Sequence, residues 1–169
     1  MDILIRKVEP GDLDAVARIE AACFPAAEAA PGKVLAQRIA TFPDSFFVAV
    51  KDGKAAGFIN GCATDERVIC DPMFEDLTYH KPEGRYQSIF GLDVLPEYRH
   101  QGIARRLMEH MIQDARERGR RGLILTCKEH LMGFYGSFGY RSLGISESVH
   151  GGAVWYDMIL EFENLREVP

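Results

Sequence analysis

The chain has 169 residues, 47% of them hydrophobic and 27% charged, which suits one domain with a closed core and excludes a collagenous or wholly disordered chain. Lys and Arg total 20 against 25 Asp and Glu, a formal net charge of −5, so the surface as a whole does not attract nucleic acid or an anionic membrane. No run approaches the ~20 apolar residues of a membrane span, the N-terminus has no apolar targeting segment, and the cysteines Cys23, Cys62, Cys70 and Cys127 form no C-x-x-C pair, so a cytoplasmic domain with free thiols is expected.

Residues 3–8 read as a strand. Pro10-Gly11 turns the chain, and Asp12 is placed to cap a helix that runs to residue 22 on Leu13, Val16, Ala17 and Ile19. Phe24-Pro25 interrupts it, and a second helix is expected from about residue 31 to residue 40, with Pro31 at its first position. Residues 46–50 and 55–63 alternate as antiparallel partners around an Asp52-Gly53 hairpin. From 64 to 84 the chain holds six acids against two bases and is broken at Asp71-Pro72 and Lys81-Pro82. It reads as a long excursion with one helical turn, of a length that often serves function.

Residues 86–95 read as a strand, and 102–118 as the clearest helix, with Ile103, Leu107, Met111, Ile112 and Ala115 on one face and Gly119 closing it. A buried strand over 122–127, a helix over 130–138 and strands over 140–146 and 153–162 complete the chain. The order βααββ, excursion, βαβαββ predicts an α/β (α+β) fold over residues 1–169: a mixed, mostly antiparallel sheet flanked by helices.

The most informative stretch is Leu92-Asp93-Val94-Leu95-Pro96-Glu97-Tyr98-Arg99-His100-Gln101-Gly102-Ile103-Ala104-Arg105-Arg106, a strand feeding a tight turn that opens the long helix. The first turn of a helix has unpaired N–H groups and roughly half a positive charge, so it is suited to a phosphate, and Gly102 and Ala104 let that phosphate reach the backbone. Neither G-x-x-x-x-G-K-[ST] nor G-x-G-x-x-G occurs, which argues against a nucleotide P-loop or a Rossmann site. Five dispersed histidines form no ligand spacing, so no metal is expected.

The run Arg99-His100-Gln101-Gly102-Ile103-Ala104 resembles the R/Q-x-x-G-x-G/A motif of the GNAT superfamily of acetyl-CoA-dependent N-acetyltransferases. Phe134-Tyr135 and Phe138-Gly139-Tyr140 are similar to its later signature. Within the superfamily the chain resembles the arylalkylamine (serotonin) N-acetyltransferases and their bacterial homologues. The resemblance implies acetyl-CoA as the acetyl donor. Backbone groups of Leu92, Asp93 and Val94 would hold the pantetheine arm. His100, Gln101, Gly102, Ile103, Ala104 and Arg105 would cradle the pyrophosphate, with Arg99 and Arg106 adding charge. Tyr135 would serve as general acid to the leaving thiolate.

An alkylamine with a pKa of roughly 10 is mostly ammonium at neutral pH and must lose a proton before it attacks. The vertebrate relatives carry a His-x-His pair on the strand before the cofactor motif, where this chain has Ser88-Ile89-Phe90. Glu28, in Phe24-Pro25-Ala26-Ala27-Glu28, resembles a Phe-Pro-x-x-Glu segment that some relatives place beside the amine, and a desolvated carboxylate there would accept the proton. Phe90 makes the acceptor pocket more apolar, and His150, between the last two strands, is expected to bind substrate. Trp155 and Tyr156 read as packing residues.

The predicted activity is acetyl transfer to a small arylalkylamine or polyamine by direct attack in a ternary complex, in a monomer or homodimer without nucleic-acid or membrane partners. A protein or peptide N-acetyltransferase and a non-catalytic acyl-CoA sensor are the alternatives. Residues 99–121 hold seven arginines and three acids, so this stretch is net +4 and the rest of the chain −9. Acids interleave the arginines of the helix and no aromatic platform accompanies them, which argues against nucleic-acid binding.

Overall fold

The computed structural model describes residues 2–162; residue 1 and residues 163–169, the ends of the expected domain, lie outside them. Two helices, α1 (Leu13–Cys23) and α2 (Gly32–Thr41), follow the first strand, β1 (Ile3–Lys7). The hairpin β2 (Phe46–Lys51) and β3 (Lys54–Asn60) turns through Asp52 and Gly53, both at positive φ, as a two-residue hairpin requires. Next come β4 (Ala63–Thr64), β5 (Tyr86–Ile89), β6 (Gly91–Val94), α3 (Ile103–Glu117), β7 (Gly122–Cys127), α4 (Met132–Gly136), β8 (Arg141–Ile145) and β9 (Tyr156–Glu161).

One sheet runs β1-β2-β3-β6 and is antiparallel throughout; the other runs β4-β5-β7-β9-β8, with β5 and β7 parallel. Alternation along β7 sends Leu123 and Leu125 into a core under α3 with Leu107, Met108 and Met111, and Ile124 into a core under α1 and α2 with Val16, Ile19, Leu35 and Phe58. The architecture is therefore α1/α2, sheet, α3/α4, each strand face matched to one helical layer.

Several boundaries differ from the sequence reading. The strand expected over 86–95 is two: β5 pairs with β7 as far as Ile89 opposite Leu125, then the chain breaks at Phe90 and β6 pairs with β3. The β3–β4 segment crosses it at the break, where a Cβ on Gly61 would overlap the Ser88 carbonyl. Asp12 does not cap α1 with its side chain; it closes a 3-10 turn, accepting the Glu9 N–H at 2.8 Å and pairing with Arg6 at 2.8 Å. The helix expected over 130–138 is a 3-10 turn, Glu129–Leu131, followed by α4. The excursion holds two 3-10 turns, Asp71–Phe74 and Leu77–Tyr79, and β9 begins at Tyr156.

Candidate active site

Because β6 leaves β7 at Phe90, the two strands diverge toward their C-terminal ends and open a wedge between the sheets. A cavity of about 510 Å³ fills the wedge and continues beneath the segment joining α1 to α2, with Ile89, Phe90, Gly91, Leu92, Val94, Leu125 and Cys127 along its strand walls. At one end stands the start of α3. His100 and Gly102 take φ of 64° and 81°, and the N–H groups of residues 100–105 donate to no acceptor among the described residues. The Arg106 amide is bonded to the Gly102 carbonyl at 3.0 Å. This run of free donors is a backbone nest of a kind suited to an anion.

The side chains around the nest are partly committed elsewhere. Arg99 folds back to donate to the Val94 carbonyl at 3.0 Å and lines the cavity. Arg105 donates to Ser137 Oγ at 2.7 Å and lies 4.4 Å above the Phe138 ring. Lys51, at the end of β2, bonds the Gln101 side chain and brings a cation to the nest that sequence spacing does not reveal.

Tyr135 lines the cavity from α4, packed against Phe134 at 5.2 Å and Tyr140 at 6.0 Å. Its hydroxyl makes no hydrogen bond among the described residues. Burial, with smaller contributions from Cys127 and Asp93, pushes its ionisation well above the ordinary tyrosine range, so it holds its proton at neutral pH. Burial likewise pushes the Cys127 thiol up to about 11.

An aromatic wall closes the far side. Phe90 meets Phe74 at 5.1 Å, Phe74 stacks on His150 at 5.2 Å and 17°, and His150 meets Trp155 at 6.1 Å. His150 donates through Nε2 to the Glu28 carbonyl at 2.9 Å, and Trp155 donates to the His150 carbonyl at 2.8 Å. Glu28 pairs with Lys128 at 2.8 Å through Oε2, while its Oε1 is buried without a partner. From the excursion, Phe74 enters the wall and Asp71 accepts the Val149 N–H at 3.1 Å, tying the loop that carries His150.

Behind Gly91 lies a polar cluster. Arg38 donates to Asn60 Oδ1 at 3.1 Å and to the Phe74 carbonyl at 2.9 Å, and its guanidinium sits 4.8 Å above Phe90. Burial lowers its pKa to about 10 against the nearby charges of Glu20 and Asp93, so it remains cationic. Glu20 accepts the Ala30 N–H at 2.8 Å. Asp93 is 1% exposed; burial first, and then the Glu20 carboxylate, push its pKa well above the ordinary range.

The profile of the Acetyltransferase (GNAT) family matches residues 13–140, three-quarters of the chain and every wall of this cavity except the loop of His150 and Trp155. The chain belongs to the GNAT acetyltransferase family. The GNAT chain is 28% identical over 132 residues to the Bacillus subtilis protein "Probable hydrolase YhcX", covering 73% of this chain and 25% of that one. It is 36% identical over 78 residues to an "Uncharacterized N-acetyltransferase" of Archaeoglobus fulgidus, covering 46% and 45%. It therefore spans less than half the length of these curated relatives. Its fold is similar to that of a "GphF GNAT-like decarboxylase in complex with isobutyryl-CoA", with a TM-score of 0.78 and 24% identity over 94% of this chain and 98% of that one.

Of the GNAT residues picked out from sequence, Glu28, Phe90, Leu92, Val94, Arg99, Ala104, Tyr135 and His150 line the one cavity, and His100, Gln101, Gly102, Ile103 and Arg105 form the helix start beside it. The Asp93 side chain lies behind the wall. Trp155, expected as packing, lines the cavity, as do Glu20, Arg38 and Phe74, which sequence reasoning missed. Glu20 and Arg38 did leave a signal: each occupies a core-facing helical position, one turn after Val16 and Leu35 respectively, where an apolar residue is the rule.

Proposed function

We propose that this GNAT chain transfers the acetyl group of acetyl-CoA to the primary amine of a small acceptor, an arylalkylamine in preference to a polyamine, by direct attack with both substrates bound. The observation that carries the reading is one cavity joining three features: the backbone nest at α3, a protonated tyrosine in the wedge, and an aromatic wall beside a carboxylate. The donor set fits a CoA thioester. Free N–H groups of residues 100–105 suit a pyrophosphate, and the open edges of β6 and β7 suit an extended amide-bearing arm that pairs as a strand would. Residues 92–94 and 99–105 are the proposed contacts. That a decarboxylase of similar fold is described in complex with isobutyryl-CoA supports a CoA thioester as ligand.

The thioester supplies an activated acyl carbon. Tyr135, which lines the cavity and is protonated at neutral pH, donates its proton to the departing sulfur. Glu28 offers its unpartnered Oε1 to the incoming ammonium beside Phe90, Phe74, His150 and Trp155, whose faces suit an aryl group. A peptide acceptor is disfavoured because the α1–α2 segment is tied across the cavity by Glu20 to Ala30, Lys128 to Glu28 and His150 to Glu28.

Free thiol released from acetyl-CoA tests this, with phenethylamine, tryptamine, spermidine and a short peptide as acceptors. Aryl amines are expected to turn over fastest and the peptide slowest. Tight acetyl-CoA binding with no thiol release by any amine would make the chain an acyl-CoA-binding module instead.

A further inference from the structure

The acceptor's proton needs a destination. Phe90 offers no proton acceptor, and the Ser88 hydroxyl is committed to the Cys62 carbonyl at 2.9 Å. Glu28 already faces an ammonium, that of Lys128. Glu20 differs. It is 6% exposed on the core face of α1 and lines the cavity. One oxygen, Oε2, takes the Ala30 N–H, and Oε1 faces the Asp93 carboxyl, whose retained proton bonds the Glu20 side chain. Oε1 reaches Gly91, where an added Cβ would lie 3.7 Å from it, 3.0 Å from Asp93 Oδ1 and 3.4 Å from Asn60 Nδ2.

Gly91 thus leaves a gap in the cavity wall, with three polar atoms converging behind it. In the same cluster Arg38 Nε and Asn60 Nδ2 are buried without partners, on side chains 3% and 0% exposed. Buried polar groups left unmatched are costly in a merely structural cluster. Resting on the N-acetyltransferase reading, we propose that Glu20 is the proton acceptor for the amine, reached through one water across the Gly91 gap, and that Arg38, Asn60 and Asp93 position it.

The charges around Glu20 suit this. Cys23, on the same helix, is a thiol whose pKa is raised chiefly by burial, with Arg99 beside it. From α2 comes the Arg38 cation, which also feels Glu75; from β6 comes Asp93, held protonated. The Arg38 cation thus lies near two carboxylates, Glu20 and Glu75, both lining the cavity. The first ammonium proton passes to Glu20 through the water, leaving a neutral amine. Its lone pair forms the N–C bond as the C–S bond breaks and the sulfur takes the Tyr135 proton. The second nitrogen proton restores Tyr135, and Glu20 releases its own to solvent, so one proton leaves per amide formed.

Glu20→Gln keeps an acceptor for Ala30 and removes the base. The experiment compares wild type and Glu20→Gln on phenethylamine and on the weakly basic 2,2,2-trifluoroethylamine, which is neutral at pH 7, across a pH series. For phenethylamine, kcat/KM is expected to fall on the order of 10²-fold and to rise with hydroxide, while acetyl-CoA affinity is kept; for the weakly basic amine the loss shrinks to a few-fold. Gly91→Ala, which fills the gap, gives the same pattern and serves if Glu20→Gln fails to fold. Equal losses on both amines, or a wild-type pH limb in Glu20→Gln, overturn this proposal alone. Wild-type protein that acetylates neither amine overturns the arylalkylamine reading and this proposal with it.

Discussion

Tyr135 and Asp93 both keep protons because both are buried, yet the consequences differ. For Tyr135 the retained proton is available to a leaving group. Tyr135→Phe keeps the packing against Phe134 and Tyr140, so kcat should drop on the order of 10²-fold while acetyl-CoA affinity by calorimetry stays as in wild type; a kcat within a few-fold of wild type would remove Tyr135 from the chemistry. For Asp93 the retained proton governs stability. Its folded pKa lies above its unfolded one, so its contribution is intact below about pH 4 and is lost as pH rises through the folded value. Asp93→Asn keeps a neutral side chain at every pH. The melting temperature of Asp93→Asn relative to wild type should therefore climb between acid and neutral pH, and a constant difference would show that Asp93 titrates as an ordinary carboxylate. At this scale the sequence was legible where a motif fixed a position, as at Tyr135 and Gly102. Trp155 was not legible, because an aromatic on a strand flank looks the same whether it faces a core or a cavity.

The helices and hairpins were legible in the sequence because period and punctuation are local: Asp52-Gly53 for the turn, and Leu107 with Met111 on one face of α3. The break at Phe90 was not legible. Residues 86–95 read as one strand, and what divides them is a change of partner, from β7 to β3, imposed by the chain crossing at Gly61. That tertiary event opens the wedge, so the element that makes the site was the element least readable from the sequence. The other end of the site depends on backbone shape. Gly102 at φ 81° begins α3, a conformation that costs an ordinary residue roughly 1 kcal/mol or more, and space around it is open. Gly102→Val should therefore lower the melting temperature only modestly and weaken acetyl-CoA binding by at least about tenfold, roughly 1.4 kcal/mol, through misdirected N–H groups. Unaltered affinity in calorimetry would locate the anion elsewhere.

Across the whole molecule, the sequence divides charge into a basic stretch at 99–121 and acidity elsewhere, with the excursion conspicuous. The fold assigns much of that charge to structure. Arg118 pairs with Asp114 at 2.8 Å, Arg120 is buried against the Gly84 carbonyl at 2.6 Å, Arg116 lies 4.1 Å over Phe162, and Arg99 and Arg105 hold Val94 and Ser137. In the excursion Asp65 pairs with Lys81 and Arg85, Asp76 bonds Thr78 and Asp71 ties the His150 loop, so Glu75 is the excursion acid that lines the cavity. Long-range attraction of an anionic donor by an arginine stripe is thus weaker than a count of residues implies, and on the proposed donor site the backbone nest carries more of the binding. Salt separates the two accounts, because screening acts on exposed side-chain charges over about 10 Å and far less on hydrogen bonds made in contact. The acetyl-CoA dissociation constant should rise only a few-fold from low to high salt, and Arg106→Ala should weaken it less than Gly102→Val does. A steep salt dependence, with Arg106→Ala the worse variant, would return the donor site to the arginine side chains.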